Sequence, residues 1–259
     1  MAILSNKKQN PITNKPLANK DAYLLLWNNA KTSKYSEVDD YLNHLNTKVP
    51  REWIDTLALP TQVSIKESTI NYQHGFILYK ALMNYTINSK LQQLKIVEIG
   101  TAKGFSALCM AKALEDLNIN GMINTIDILD HERPIYWNSI KDHERKMSRK
   151  ELLLGYSELC DKYIQYICGK SETELTKLMK ERIHFAFIDG EHYYENVKYD
   201  GEMIAKMQVS GDIIVFDDYT KSLFPGVVRA ADEICEKYNY KKTLIRSSIE
   251  RAYLVAEKK

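Results

Sequence analysis

Val97-Glu98-Ile99-Gly100-Thr101-Ala102-Lys103-Gly104-Phe105-Ser106-Ala107 reads as a strand that runs through a bend into a helix. Residues 95–99 have the β-branched, apolar character of a short strand, and residues 104–114 the apolar spacing of an amphipathic helix. A strand that enters a helix through a glycine-rich bend brings backbone N–H groups close to a ligand at the carboxyl edge of a sheet. The spacing here is Glu-x-Gly-x-x-x-Gly. Glu98 at the strand end could contact the cationic end of a ligand, Gly100 allows close approach, and Gly104 opens the helix. A dinucleotide fingerprint would be Gly-x-Gly-x-x-Gly, and Ala102 stands where its middle glycine belongs.

Downstream of this bend the pattern alternates regularly. Strands are predicted at 122–127, 163–168, 183–189 and 212–216, and helices at 171–180, 193–207 and 227–238. Ser171, with Glu174 three residues on, has capping-box spacing. Segments 241–247 and 251–257 follow each other closely enough for a terminal hairpin. The expected fold is α/β: a doubly wound, mostly parallel sheet with one antiparallel member near an edge. Residues 131–160 interrupt the alternation with a long polar connection carrying Trp137, Lys141, Arg145, Lys146 and Arg149. Connections of that length usually serve as lids or binding insertions. Upstream, residues 1–20 read as a loosely packed arm and 21–88 as helical, through Tyr23, Leu24, Trp27, Val38, Tyr41, Leu42 and Leu45, with a helix at 72–85. The expected division is an arm and helical extension over 1–69 and a ligand-binding domain over 70–259.

A chain of 259 residues accommodates one large α/β domain with an extension. Its 36 Lys and Arg against 34 Asp and Glu leave +2, too balanced to imply a nucleic-acid surface. No apolar run approaches the roughly 20 residues of a membrane span, and no secretory h-region follows Ile3-Leu4. Cys109, Cys160, Cys168 and Cys235 contain no Cys-x-x-Cys pair and read as reduced core thiols, which suits the cytoplasm.

Three further segments carry chemistry. Asp127 ends the second strand a little over 20 residues past the glycine bend, where an acid can accept both hydroxyls of an adenosine ribose. Phe187-Ile188-Asp189-Gly190-Glu191-His192 and Val215-Phe216-Asp217-Asp218-Tyr219 each end an apolar strand in acids. Asp189, Asp217 and Asp218 crowded at one rim call for a cation or a shared proton, and as hard oxygen ligands they would select Mg²⁺, Mn²⁺ or Ca²⁺. His192, three residues past Asp189, is placed to remove a proton from a hydroxyl held there.

Together these segments resemble the class I S-adenosylmethionine (SAM)-dependent methyltransferases. The closer resemblance is to the metal-dependent sugar O-methyltransferases of the macrocin (TylF) and mycinamicin type. It covers roughly residues 70–257, and Gly169-Lys170-Ser171 matches that family's Gly-Asp-Ser turn with Lys170 in place of Asp. It implies a seven-stranded Rossmann-like sheet with the last strand antiparallel. Around the cofactor it implies Glu98, Gly100, Thr101, Lys103, Gly104, Phe105, Ser106, Asp127, Ser171 and Asp189. Asp189, Asp217 and Asp218 would be Mg²⁺ ligands and His192 the base. The implied reaction is methyl transfer to a sugar hydroxyl, with a catechol-type or other small-molecule acceptor as the alternative. A dehydrogenase or a silent SAM-binding protein would be the rivals from other classes. Tyr193, Tyr194, Tyr219 and Trp137 could stack on a sugar, and Arg133, Lys141 and Arg145 could hold the phosphate of a nucleotide-linked one. A homo-oligomer, and no nucleic-acid or membrane partner, completes the expectation.

Overall fold

The computed structural model describes residues 13–43, 48–178 and 181–259. Most of the amino-terminal arm, Leu45 and the end of the 171–180 helix therefore lie outside the described residues. Three helices come first: α1 (Lys20–Thr32), α2 (Ser36–Asn43) and α3 (Arg51–Thr61). Next are α4 (Gln73–Ser89), β1 (Gln93–Ile99), α5 (Phe105–Asp116) and β2 (Asn120–Asp127). The 131–160 connection contains α6 (Arg149–Leu152) and leads through α7 (Ser157–Tyr163) to β3 (Ile164–Cys168). The alternation then resumes with α8 (Ser171–Leu178), β4 (Phe185–Ile188), α9 (Tyr194–Lys206), β5 (Ile213–Phe216) and α10 (Pro225–Lys237). A hairpin of β6 (Tyr240–Arg246) and β7 (Ala252–Lys258) ends the chain.

The seven strands form one sheet in the order β3-β2-β1-β4-β5-β7-β6. All neighbours are parallel up to β5, and β7 runs antiparallel between β5 and β6. The expected seven-stranded sheet is thus present, with the antiparallel strand one place in from the edge. Strand order reverses between β1 and β4, which creates the crevice where open α/β sheets bind ligands.

Both faces of the central strands are buried, as parallel strands between two helical layers require. Leu94, Ile96, Phe185, Phe187, Ile213 and Val215 face the core shared with α4, α5 and the extension. Val97, Ile99, Ala186, Ile188, Ile214 and Phe216 face the core of α9 and α10. Helix α4 is buried on nearly every side, from Gln73 through Met83. A helix without a polar face needs cover on both sides. The sheet supplies one cover, and α1–α3 supply the other through Tyr23, Val38, Ile54 and Leu57. Of the cysteines, Cys109 and Cys235 are core thiols, Cys160 is partly buried, and Cys168 at the end of β3 is exposed, contrary to expectation. Among the described residues, no helix is long and apolar enough to cross a membrane.

Candidate active site

Gly100 lies at the crevice with φ +96°, and a Cβ there would sit 2.1 Å from the carbonyl oxygen of Asp189. The Asp189 N–H donates to the Ile99 carbonyl and the Gly100 N–H to the Ile126 carbonyl, both at 2.9 Å. Glycine therefore lets the exits of β1, β2 and β4 close into one rim. Asp127 ties that rim together. Its Oδ2 accepts the Ala102 N–H at 2.7 Å and its Oδ1 the Leu129 N–H at 2.8 Å. The carboxylate keeps free lone pairs and partial exposure, so its chemistry fits a ribose diol.

Most other side chains of the bend turn inward. Glu98 is fully buried and accepts hydrogen bonds from the Ser106 and Thr125 hydroxyls, and Thr101 pairs with Thr125 at 2.5 Å. Burial pushes its carboxyl up to about 7, against those hydrogen bonds. Its expected contact with a cationic ligand end is thus corrected: Glu98 braces β1 against α5 and β2. Phe105 is core, edge-on to His74 with ring centroids 5.0 Å apart. Lys103 points away from the crevice and donates to the Ser64 hydroxyl (2.7 Å) and the Asn138 carbonyl (3.2 Å). Burial pulls its ammonium down to about 7. The bend offers a ligand its backbone rather than these side chains.

Ser171 does not cap α8 as its spacing suggests. It is the first helical residue, its side chain hydrogen-bonds Asp200, and the Lys170 carbonyl takes the Thr173 and Glu174 N–H groups.

At the exits of β4 and β5, Asp189 Oδ1, His192 Nε2 and Asp218 Oδ2 converge. His192 Nε2 lies 2.8 Å from Asp218 and 3.8 Å from Asp189, yet neither ring nitrogen has an aligned hydrogen-bond partner. These three atoms lie within 4.8 Å of one another, and the two carboxylate oxygens are hard donors that fit a divalent cation, with the orphaned His192 nitrogen beside them. An octahedral ion with bonds of about 2.1 Å separates neighbouring ligand atoms by about 3 Å. Burial lowers the His192 pKa, but the Asp189 and Asp218 carboxylates override it and raise it to about 10.

Asp217 does not join this group, which corrects the expected ligand set. It accepts Arg251 Nη2 at 2.6 Å and the Asp218 N–H at 2.7 Å, with its side chain wholly buried. Successive strand residues alternate faces, so Asp217 follows Val215 into the core beneath α4. Asp218, at φ +52°, turns outward. His192 stands beside the two carboxylates instead, its Nε2 2.8 Å from Asp218 Oδ2.

The sequence reading missed Arg251 and also His74, whose buried Nδ1 lacks a partner beneath the same strands. Neither stands in a motif. Trp137 is buried and donates to the Met147 carbonyl, so it is withdrawn from any acceptor. Tyr194 and Tyr219 direct their hydroxyls to Glu233 and Asp232 on α10, while Tyr193 is 65% exposed. Arg133 and Lys141 are exposed, and Arg145 pairs with Glu151 at 2.7 Å.

Residues 97–219, which contain the glycine bend, Asp127, Asp189, Asp217 and Asp218, match the family model Methyltransf_24, a methyltransferase domain. No curated protein matches the sequence. Solved structures match over nearly the whole chain. An O-methyltransferase from Bacillus cereus in complex with S-adenosylhomocysteine (SAH) shares 14% identity at a TM-score of 0.52, covering 93% of this chain and 100% of that one. The O-methyltransferase NovP shares 16% identity at 0.56, covering 93% and 99%. TomG from Streptomyces achromogenes, involved in tomaymycin synthesis and solved with SAM, shares 14% at 0.51, covering 94% and 100%. Residues 97–219 are thus similar to a methyltransferase domain, and the chain shares its fold with these O-methyltransferases.

Proposed function

We propose that this chain is a SAM-dependent, divalent-metal-dependent O-methyltransferase acting on a sugar hydroxyl, in a nucleotide-linked or glycoconjugate sugar. The observation that carries the proposal is the meeting of two half-sites at one rim. The glycine bend and Asp127 suit the donor, and the Asp189–His192–Asp218 cluster suits the acceptor. The structural neighbours, O-methyltransferases solved with SAM or SAH among them, support the donor and the reaction type.

SAM supplies a methyl group already activated on sulfur, so positioning provides most of the acceleration. Asp127 receives the ribose hydroxyls, and Gly100 allows the donor close to the exits of β1 and β4. Asp189 and Asp218 would hold the metal, which would supply an electrophile that lowers the pKa of the acceptor hydroxyl. His192 takes the hydroxyl proton at Nε2 as oxygen bonds to the methyl carbon and the carbon–sulfur bond breaks, leaving SAH. The Asp189 and Asp218 carboxylates favour the charged imidazole of His192, and their neutralisation by a bound cation would weaken that preference and leave Nε2 able to accept a proton. Tyr193, exposed next to His192, offers a ring for a sugar to stack on.

The test is transfer of a labelled methyl group from SAM to a panel of nucleotide sugars and glycosides, with a catechol as a control. Methylation of a sugar that EDTA abolishes and Mg²⁺ restores is expected. Turnover indifferent to chelation overturns the metal, and turnover of the catechol alone overturns the sugar.

A further inference from the structure

The 131–160 insertion reads from the sequence as a lid or binding insertion, and its one buried cation faces the donor bend. Arg149 is 1% exposed. Its Nε–H donates to the Ala102 carbonyl at 2.7 Å and its Nη1–H to the Leu129 carbonyl at 3.3 Å. Its Nη2 lies 3.6 Å from Asp127 Oδ2 and has no hydrogen-bond partner. One planar fork thus touches the turn after β1, the turn after β2 and the acid between them. Lysine, a point charge on a flexible stem, cannot reproduce that geometry.

The segment around Arg149 is firmly held. Ser148 and Glu151 form a reciprocal capping box at the start of α6, and Ile135 bridges to Met147 in antiparallel fashion. The guanidinium lies 5.7 Å from the ring centres of both Trp137 and Tyr166. Leu153, just past α6, packs so closely on Gly104 that a Cβ there would come within 2.8 Å of it. The bend needs such a hold, because Ala102 sits at φ +45°, a conformation that costs a residue with a Cβ about 1 kcal/mol or more. Asp127 grips the N–H of Ala102, and Arg149 grips its carbonyl.

We propose that Arg149 is a positioning residue of the donor site. It sets the Asp127 carboxylate and the Ala102 peptide in the arrangement that receives the ribose 2′,3′-diol, so the insertion belongs to the donor half. The proposal rests on the SAM reading above. A residue that only stabilised the fold would weaken every ligand alike. One that orients Asp127 must govern recognition of the 2′-hydroxyl in particular.

The test titrates SAH and 2′-deoxy-SAH against the wild type, Arg149→Lys and Arg149→Met by calorimetry, with Tm measured for each. Asp127→Asn serves as the reference for lost diol recognition. The wild type should prefer SAH over its 2′-deoxy analogue by about tenfold or more. Arg149→Lys should weaken SAH about tenfold and bring the ratio close to one, with the deoxy analogue little changed. An unchanged ratio overturns the proposal, whether SAH affinity is kept or both ligands weaken in parallel. Should Arg149→Met prove too unstable to titrate, the charge-retaining Lys variant decides. A wild type that binds no SAH refutes the proposed function itself. Binding in the wild type that Arg149→Lys leaves unchanged refutes only the role of Arg149.

Discussion

Gly100→Ala places a single methyl group at the junction of the two half-sites. The new Cβ would lie 2.1 Å from the Asp189 carbonyl oxygen, whereas real Cβ contacts essentially never fall below 3.0 Å. The exits of β1 and β4 must therefore separate by about 0.9 Å, and backbone stands on both sides of the clash. The residue must also hold φ +96°, which adds about 1–2 kcal/mol for a side chain with a Cβ. Taken together, a loss of about 2–4 kcal/mol in stability is expected, within the range of strain at special backbone positions. The functional loss should be larger, because a misplacement of about 1 Å costs on the order of 100-fold in a positioned reaction. Here both the donor bend and Asp189 move. SAH titration should show at least tenfold weaker binding, and thermal melting a folded protein with lowered Tm. A variant that binds SAH within threefold of wild type, at unchanged Tm, would refute the close junction of β1 and β4.

Glu98, raised from 4.5 to about 7, contributes stability below pH 4.5 that is lost as pH climbs through 7. Glu98→Gln escapes that loss, so its stability relative to wild type should improve by about 3 kcal/mol between pH 4.5 and pH 7.5, read by urea unfolding at each pH. Asp218→Asn should weaken Mn²⁺ binding more than tenfold by electron paramagnetic resonance, whereas Asp217→Asn should change it less than threefold. Equal losses would return Asp217 to the ligand set. Arg251→Met strands a buried carboxylate and should cost about 3–5 kcal/mol, lowering Tm by about 10 °C. Adding Asp217→Asn to that variant should restore much of the Tm.

The strand and helix order was legible because the central strands are short apolar runs ending in Gly or Asp, and the helices between them carry one apolar face. Asp127, Asp189 and Asp218 could be placed at the rim from this pattern alone. The direction of each side chain could not. Whether Asp217 or Asp218 faces the crevice depends on where β5 ends and on the positive φ of Asp218, which neighbouring acids do not reveal. Glu98 reads as a ligand contact until the hydroxyls of Ser106 and Thr125, 8 and 27 residues away, are seen to enclose it. Arg149 and Arg251 act through partners 47 and 34 residues distant, and no local spacing encodes such pairs. The extension is similar: its need follows from α4, buried all round, but its docking on the sheet domain follows only from the fold.

The central claim is that the glycine bend and Asp127 form the site of a methyl donor. Calorimetric titration of SAH against the wild type and Asp127→Asn, with NAD as a control ligand, tests it most directly. The account predicts saturable 1:1 binding of SAH to the wild type, at least tenfold weaker binding to the variant, and no binding of NAD. NAD binding without SAH binding, or SAH binding indifferent to Asp127, would contradict it.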